Sequence, residues 1–302
     1  MAWVTHGSRG WVDGVIWSVG DSAYPARSCL GSVRRRTGSE TGVAYTNYSD
    51  PIMSSAGGTS TSPTYPDAVP DENTQYVLLT GQKPSTANSG TITLPSGWTE
   101  RGSIAGAGGY GSTLGSGTGN VNLKVGTLDT PTGDESGSVT VDLATNNVAW
   151  AMMVRVDKMG SGVWEYDSTT GSDETGGAAL SVTYGDTVDL APGDLVVVGW
   201  CQPTNVTTRF TVPTLTASGF TFGRVTTAAR PTSAVGNTIG GLVCFARVIT
   251  GSGLATVTFG ATAAGTTTNV RGGSVLVRLR EQGAPLIRRS AFSVKCLVRC
   301  LR

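Results

Sequence analysis

The apolar positions of this chain fall in short runs with a two-residue period, broken at close intervals by Gly, Thr, Ser and Pro. Alternation places successive side chains on opposite faces of a strand, so such runs read as β-strands with one or both faces buried. Leu195-Val196-Val197-Val198-Gly199-Trp200 is apolar on both faces, as expected of a central strand between two layers. Gly137 to Leu143 alternates instead, with Val139, Val141 and Leu143 on one side and polar residues on the other. No segment carries a 3.6-residue period, and Ala105 to Gly119 and Thr262 to Asn269 are turn-rich stretches expected to form exposed loops. Short strands with Gly-rich turns predict an all-β protein of packed antiparallel layers with jelly-roll-like connections.

The same pattern recurs along the chain. Asp71 to Pro84 (DENTQYVLLTGQKP) and Ala191 to Pro203 (APGDLVVVGWCQP) are both acidic-then-apolar strands that end at a proline, 119 residues apart. Trp98 in TLPSGWTERG lies opposite Phe220 in LTASGFTFG at a spacing of 122, and Val154-Arg155-Val156 lies opposite Val277-Arg278-Leu279 at 123. Three ordered matches at nearly constant spacing predict two tandem, duplicated antiparallel β-sandwich units. On this reading residues 1–68 are an N-terminal arm and linker, 69–185 the first unit, 186–281 the second, and 282–302 a basic docking tail.

Composition fits that reading: of 302 residues 43 are Gly, while charged residues are 14% and hydrophobic ones 38%, too apolar for a disordered chain. Length suits two small domains better than one. No apolar run is long enough for a transmembrane helix, and Met1 to Gly20 does not read as a secretory signal, so no membrane association is expected. The net charge of +1 hides an asymmetry, because residues 282–302 carry five basic and no acidic side chains while residues 51–281 carry 12 basic and 17 acidic ones. A basic tail without stacking aromatics fits an acidic protein surface better than nucleic acid. The tail pairs Arg288, Arg289, Lys295, Arg299 and Arg302 with apolar neighbours, and the N-terminal arm carries Trp3, Trp11 and Trp17. These are the expected partner-docking residues, with a neighbouring subunit as the partner.

The strand opening Gly193-Asp194-Leu195 and the turn Leu94-Pro95-Ser96-Gly97-Trp98, followed by a hydrophobic strand, resemble Gly/Thr-rich virion proteins of tailed phages. Over residues 69–281 the resemblance implies a capsid-decoration, neck, tail or fibre-associated protein. Such a protein is made in the host cytoplasm, displayed on the virion surface, homo-oligomeric and partnered by other virion proteins. The first unit lacks the Gly at Asp71-Glu72-Asn73, and the second has Ala217-Ser218-Gly219-Phe220 in place of the Pro and Trp.

Candidate chemistry is sparse. His6 is the single histidine, so a nucleophile-histidine pair would need a residue of the arm. Asp134-Glu135, Glu165-Asp167 and Asp173-Glu174 are the acid pairs a glycosidase would require, and all lie in Gly/Ser/Thr-rich surroundings typical of solvated loops. Asp186, Asp189 and Asp194 could contribute oxygen ligands to calcium but lack the loop spacing of a calcium motif. No phosphate or dinucleotide fingerprint is present, and no cofactor or metal is expected. Trp98, Tyr110, Trp164 and Tyr166 lie in or beside Gly-rich loops, and the last three are candidates for glycan contact in a receptor-binding module. Among the five cysteines, Cys201 and Cys244 sit in apolar strands as buried thiols, whereas Cys29, Cys296 and Cys300 lie in the arms, where an intersubunit disulfide is the sharper expectation.

Overall fold

The computed structural model describes residues 9–12, 15–18, 43–54, 58–66, 73–84, 90–108, 120–128, 130–132, 135–160, 162–175, 179–203, 209–210, 212–231, 239–264 and 270–282. Every regular element among them is a strand, and every pairing is antiparallel. The chain divides into two units, one of residues 1–39 with 287–302 and one of residues 40–286. In the former, β1 (Arg9–Val12) and β2 (Val15–Ser18) form a hairpin in which Trp11 faces Ile16 and Trp17 faces Gly10 across the ladder.

The larger unit opens with an eight-stranded sheet. Its members are β3 (Val43–Tyr48), β4 (Ile52–Met53), β5 (Gly58–Thr61), β6 (Thr74–Pro84), β7 (Ile92–Thr93), β8 (Trp98–Ala107), β9 (Val121–Leu128) and β10 (Val141–Lys158). The main path runs β3-β10-β6-β9-β8, with β4, β5 and β7 paired to other parts of the long β10. The remaining strands are β11 (Val163–Asp173), β12 (Ala179–Thr183), β13 (Val188–Leu190), β14 (Leu195–Gln202), β15 (Arg209–Phe210), β16 (Thr214–Thr216), β17 (Thr221–Phe222), β18 (Thr226–Ala229), β19 (Gly240–Thr250), β20 (Gly253–Ala255), β21 (Thr258–Ala264) and β22 (Gly272–Gln282). They form a six-stranded sheet with path β11-β22-β14-β19-β17, a four-stranded sheet centred on β21, and the pair β13-β20.

Side-chain alternation explains how these sheets stack. On β6, Val77 and Leu79 point one way into a core shared with Val197 and Cys201 of β14 and Val275 and Val277 of β22, so the two large sheets pack face to face. Tyr76 and Leu78 point the other way and meet Val141 and Leu143 from the first half of β10, together with Ile92. On the far side of the six-stranded sheet, Val196, Val198 and Trp200 of β14 meet Val182 and Phe259 of the four-stranded sheet. The larger unit is therefore β-sandwich-like, with two apolar layers between its sheets and a third enclosed by the eight-stranded sheet itself. Leu195 to Trp200 is buried on both faces, as its unbroken apolar run requires.

Two stretches differ from their sequence reading. Residues 1–68 read as an arm and linker with a Ser/Thr/Gly/Pro-rich end from Met53 to Pro66, and β3, β4 and β5 lie within that range, all paired to β10. An 18-residue strand has two long edges to satisfy, and neutral Ser and Thr serve on its solvated side. The turn-rich stretches beginning at Ala105 and Thr262 continue strands for their first residues, because β8 extends to Ala107 and β21 to Ala264.

At the centre of the shared core lies Trp150, fully buried. A methyl group added at its ladder partner Gly81 would come within 2.4 Å of the indole, and one at Gly241 on the opposing sheet within 2.7 Å. The two glycines leave the space that the ring occupies. Trp150→Ala is expected to lower stability by about 3–5 kcal/mol through lost transfer energy and the cavity left behind. Chemical denaturation checks this, and a loss below about 1 kcal/mol would mean that the ring does not hold the sheets together.

Candidate functional site

Of the three aromatics anticipated as glycan contacts, Trp164 and Tyr166 stand on β11, two residues apart on one face. Their rings stack with centroids 6.4 Å apart and an interplanar angle of 19°. Arg101 of β8 lies 3.8 Å over the Tyr166 ring, and Lys158 at the end of β10 lies 5.7 Å from the Trp164 centroid. Both aromatics pack against the shared core, and Gln75 donates to the Tyr166 hydroxyl at 2.5 Å. The ladder cation-ring-ring-cation therefore seals the seam between the two large sheets, with each ring covered by a cation. Trp98 faces the core of the first sheet with Tyr76 and Ile92 and is buried.

Carboxylates and arginines form a second cluster near the end of β22. Arg278 and Arg280 stand on the same face of that strand, two residues apart. Arg280 binds Asp194 through both carboxylate oxygens, Nε to Oδ1 at 2.9 Å and Nη2 to Oδ2 at 2.9 Å, and reaches Asp189 Oδ2 at 2.7 Å. Bidentate pairing to a nearly buried Asp194 raises the guanidinium further above its already high range. Arg278, buried to 2% exposure, donates to Glu165 Oε1 at 2.8 Å. Asp167 accepts the backbone amides of Ser168 and Asp189, and Asp194 also accepts the amide of Ala191. Asp189 and Asp194, considered above as calcium ligands, thus face a guanidinium, while Asp186 is exposed. No group of three His, Cys, Asp or Glu side chains converges among the described residues as a metal site needs.

The other candidate acids hold backbone. Asp173 accepts the amides of Thr175 and Ser181, Glu174 takes the amide of Gly108, and Glu135 binds Thr132. Glu281 closes the turn between β10 and β11 by accepting the amides of Gly160 and Gly162, at 3.0 and 2.8 Å. Such carboxylates order loops and strand ends.

Lys83, Arg101, Arg278 and Arg280 were not singled out from the sequence. Arg278 and Arg280 carry a readable signal, two cations at two-residue spacing inside an apolar strand, which calls for carboxylates on the same face. Lys83, at the end of β6, is fully buried, and burial lowers its ammonium to about 8. Burial also pushes the neighbouring Cys201 thiol up to about 12 and the Cys244 thiol above its usual range, which leaves both thiols protonated and unreactive at neutral pH. His6, Trp3, Tyr110, Asp134, Cys29, Cys296, Cys300, Arg288, Arg289, Lys295, Arg299 and Arg302 lie outside the described residues, and of Trp11 and Trp17 only the backbone is described.

No protein-family model, no curated protein and no solved structure matches this chain.

Two expectations follow from these clusters. Removing Arg280 strands a carboxylate at Asp194 that is 2% exposed, so Arg280→Met should cost about 3–5 kcal/mol in denaturant unfolding, and Arg280→Met with Asp194→Leu should cost less than Arg280→Met alone. Equal losses in the single and double variants would contradict the pairing. Lys83 is depressed in the folded state, so the unfolded chain binds more protons between about pH 8 and 10.5 and the Lys83 contribution to stability rises across that window. Cys201 acts oppositely, being raised, so the comparison that isolates Lys83 is between the unaltered protein and Lys83→Met. The stability difference favouring Lys83→Met should shrink as pH rises from 8 to 10.5, and a difference that is flat with pH would refute the assignment.

Proposed function

We propose that this chain is a non-enzymatic, exposed component of a tailed-phage particle, built by tandem duplication of one β-sandwich and joined to other virion proteins through its terminal segments. The duplication is supported by strand order. The path β3-β10-β6-β9-β8 has its counterpart in β11-β22-β14-β19-β17, and β5-β10-β7 has its counterpart in β12-β21-β16. Facing residues agree as well. Gln82 and Gln202 stand 120 apart near the ends of β6 and β14, Leu123 and Val243 120 apart in the shared core, and Trp98 and Phe220 122 apart in the outer cores. On this reading the repeats begin at β3 and β11, each 28 residues before the acidic-apolar signature at Asp71 or Ala191.

The observation that carries the non-enzymatic reading is the engagement of Glu165, Asp167, Asp173, Glu174, Asp189 and Asp194, each held by an arginine or by a backbone amide. Among the described residues of the outer sheet, the neutral Ser181, Thr183, Thr214, Thr216 and Thr262 are all exposed. A rigid stack with uncharged hydroxyl faces suits a protein that is displayed and that docks by its ends. The alternative, a carbohydrate- or receptor-binding module of a fibre or spike, would draw on exposed aromatics, and the cations over Trp164 and Tyr166 argue against that pair.

Mass spectrometry of purified particles of the encoding phage, with and without reductant, tests this function. Stoichiometric presence is expected, with Cys29, Cys296 or Cys300 in intersubunit links. Absence from the particles would overturn it, and binding of the full chain to a glycan array would then favour the alternative.

A further inference from the structure

On the face of β6 that points into the first sandwich, Tyr76, Leu78, Thr80 and Gln82 follow at two-residue spacing, all fully buried. The Thr80 hydroxyl and both atoms of the Gln82 amide have no hydrogen-bond partner in the protein. Their ladder partners on β10 are Ala151 and Ala149, which carry no polar side-chain atom to pair with them. On the other flank, Lys124 reaches away to Glu100 at 2.8 Å, and Asn122 is bonded to the Gly90 carbonyl at 2.6 Å and the Gly106 amide at 3.0 Å. Gly90 closes one side, since a methyl group there would lie 2.8 Å from the Gln82 amide.

The central strand of the other sandwich handles the same position differently. On β14 the corresponding pair is Trp200 and Gln202, and the indole Nε1 donates to Gln202 Oε1 at 3.1 Å. A large ring stands there and its N–H satisfies the amide oxygen.

Leaving a buried hydroxyl and amide dry costs their full desolvation penalty, and native interiors meet this with ordered water where a polar pocket offers two to four partners. Side chains two apart on one strand face stand roughly 7 Å apart, a gap that one or two water molecules span with hydrogen bonds to both. We propose that the first sandwich is built around an internal hydration site, in which ordered water bridges Thr80 Oγ1 and the Gln82 amide where the second sandwich carries Trp200.

A crystal structure of the full chain, at a resolution that shows ordered solvent, tests this directly. Water within hydrogen-bond distance of both Thr80 and Gln82 is expected. A Gln82 amide bonded to protein atoms instead, or the space filled by side chains, would overturn the proposal. Substitution gives a second reading. Thr80→Val and Gln82→Met should each lower Tm, and the double variant should lose less than the two losses added, because both remove the same water. A rise in Tm in either single variant would mean that the polar atoms are dry, which also overturns the proposal. Should the variants fail to fold, the solvent structure of the unaltered protein decides.

Discussion

The structure of the larger unit depends on one contact, the face-to-face packing of its two large sheets around Trp150. Each sheet is apolar on both faces, so neither could stand with one face in water, and each provides the other with cover. The indole fits because Gly81 and Gly241 supply no side chain on either side of it. Around this point Val77, Leu79, Leu123 and Val154 of one sheet interleave with Val197, Val243 and Val277 of the other. Apolar contact across the sheets is therefore continuous rather than a limited interface between two independent domains.

The polar features secure the rim of this core. The aromatic ladder with its two cations closes one seam, Arg247 donates to the Val43 carbonyl at 2.7 Å between the sheets, and Glu281 fixes the turn that joins β10 to β11. Arg280 ties the last strand to Asp194 at the start of β14. These groups sit where strands end and water could enter, and their pairing keeps buried charge satisfied. The same pairing engages Glu165, Asp189 and Asp194.

Much of the fold was legible in the residues. The two-residue period gave the strands, and the doubly apolar run at Leu195 to Trp200 gave a strand buried on both sides. The alternation of Val139, Val141 and Leu143 placed one face inward, where Val141 and Leu143 meet Tyr76. Within residues 1–68, read as an arm and linker, composition did not reveal β3, β4 and β5, because it reports solvent exposure and not pairing, and Ser, Thr and Gly are as suited to a solvated edge as to an arm. Aligning Pro84 with Pro203 would set Leu79, which faces the shared core, against Val198, which faces the outer one, so the proposed duplication needs a register one residue away. The candidate site was less legible. Trp164 and Tyr166 were singled out together with Tyr110, but Arg101 lies far off in sequence, and although Lys158 is near Trp164 in the chain, nothing local marks it as a cation that will cover a ring.

Amide hydrogen exchange on the unaltered protein tests most directly whether the two sheets form one structure. The strands β6, β9 and β10 of one sheet and β14, β19 and β22 of the other should share the highest protection and lose it together at the same denaturant concentration, as one cooperative opening. Exchange of one set at a clearly lower denaturant concentration, with the other still protected, would show two separately stable sandwiches and contradict the account.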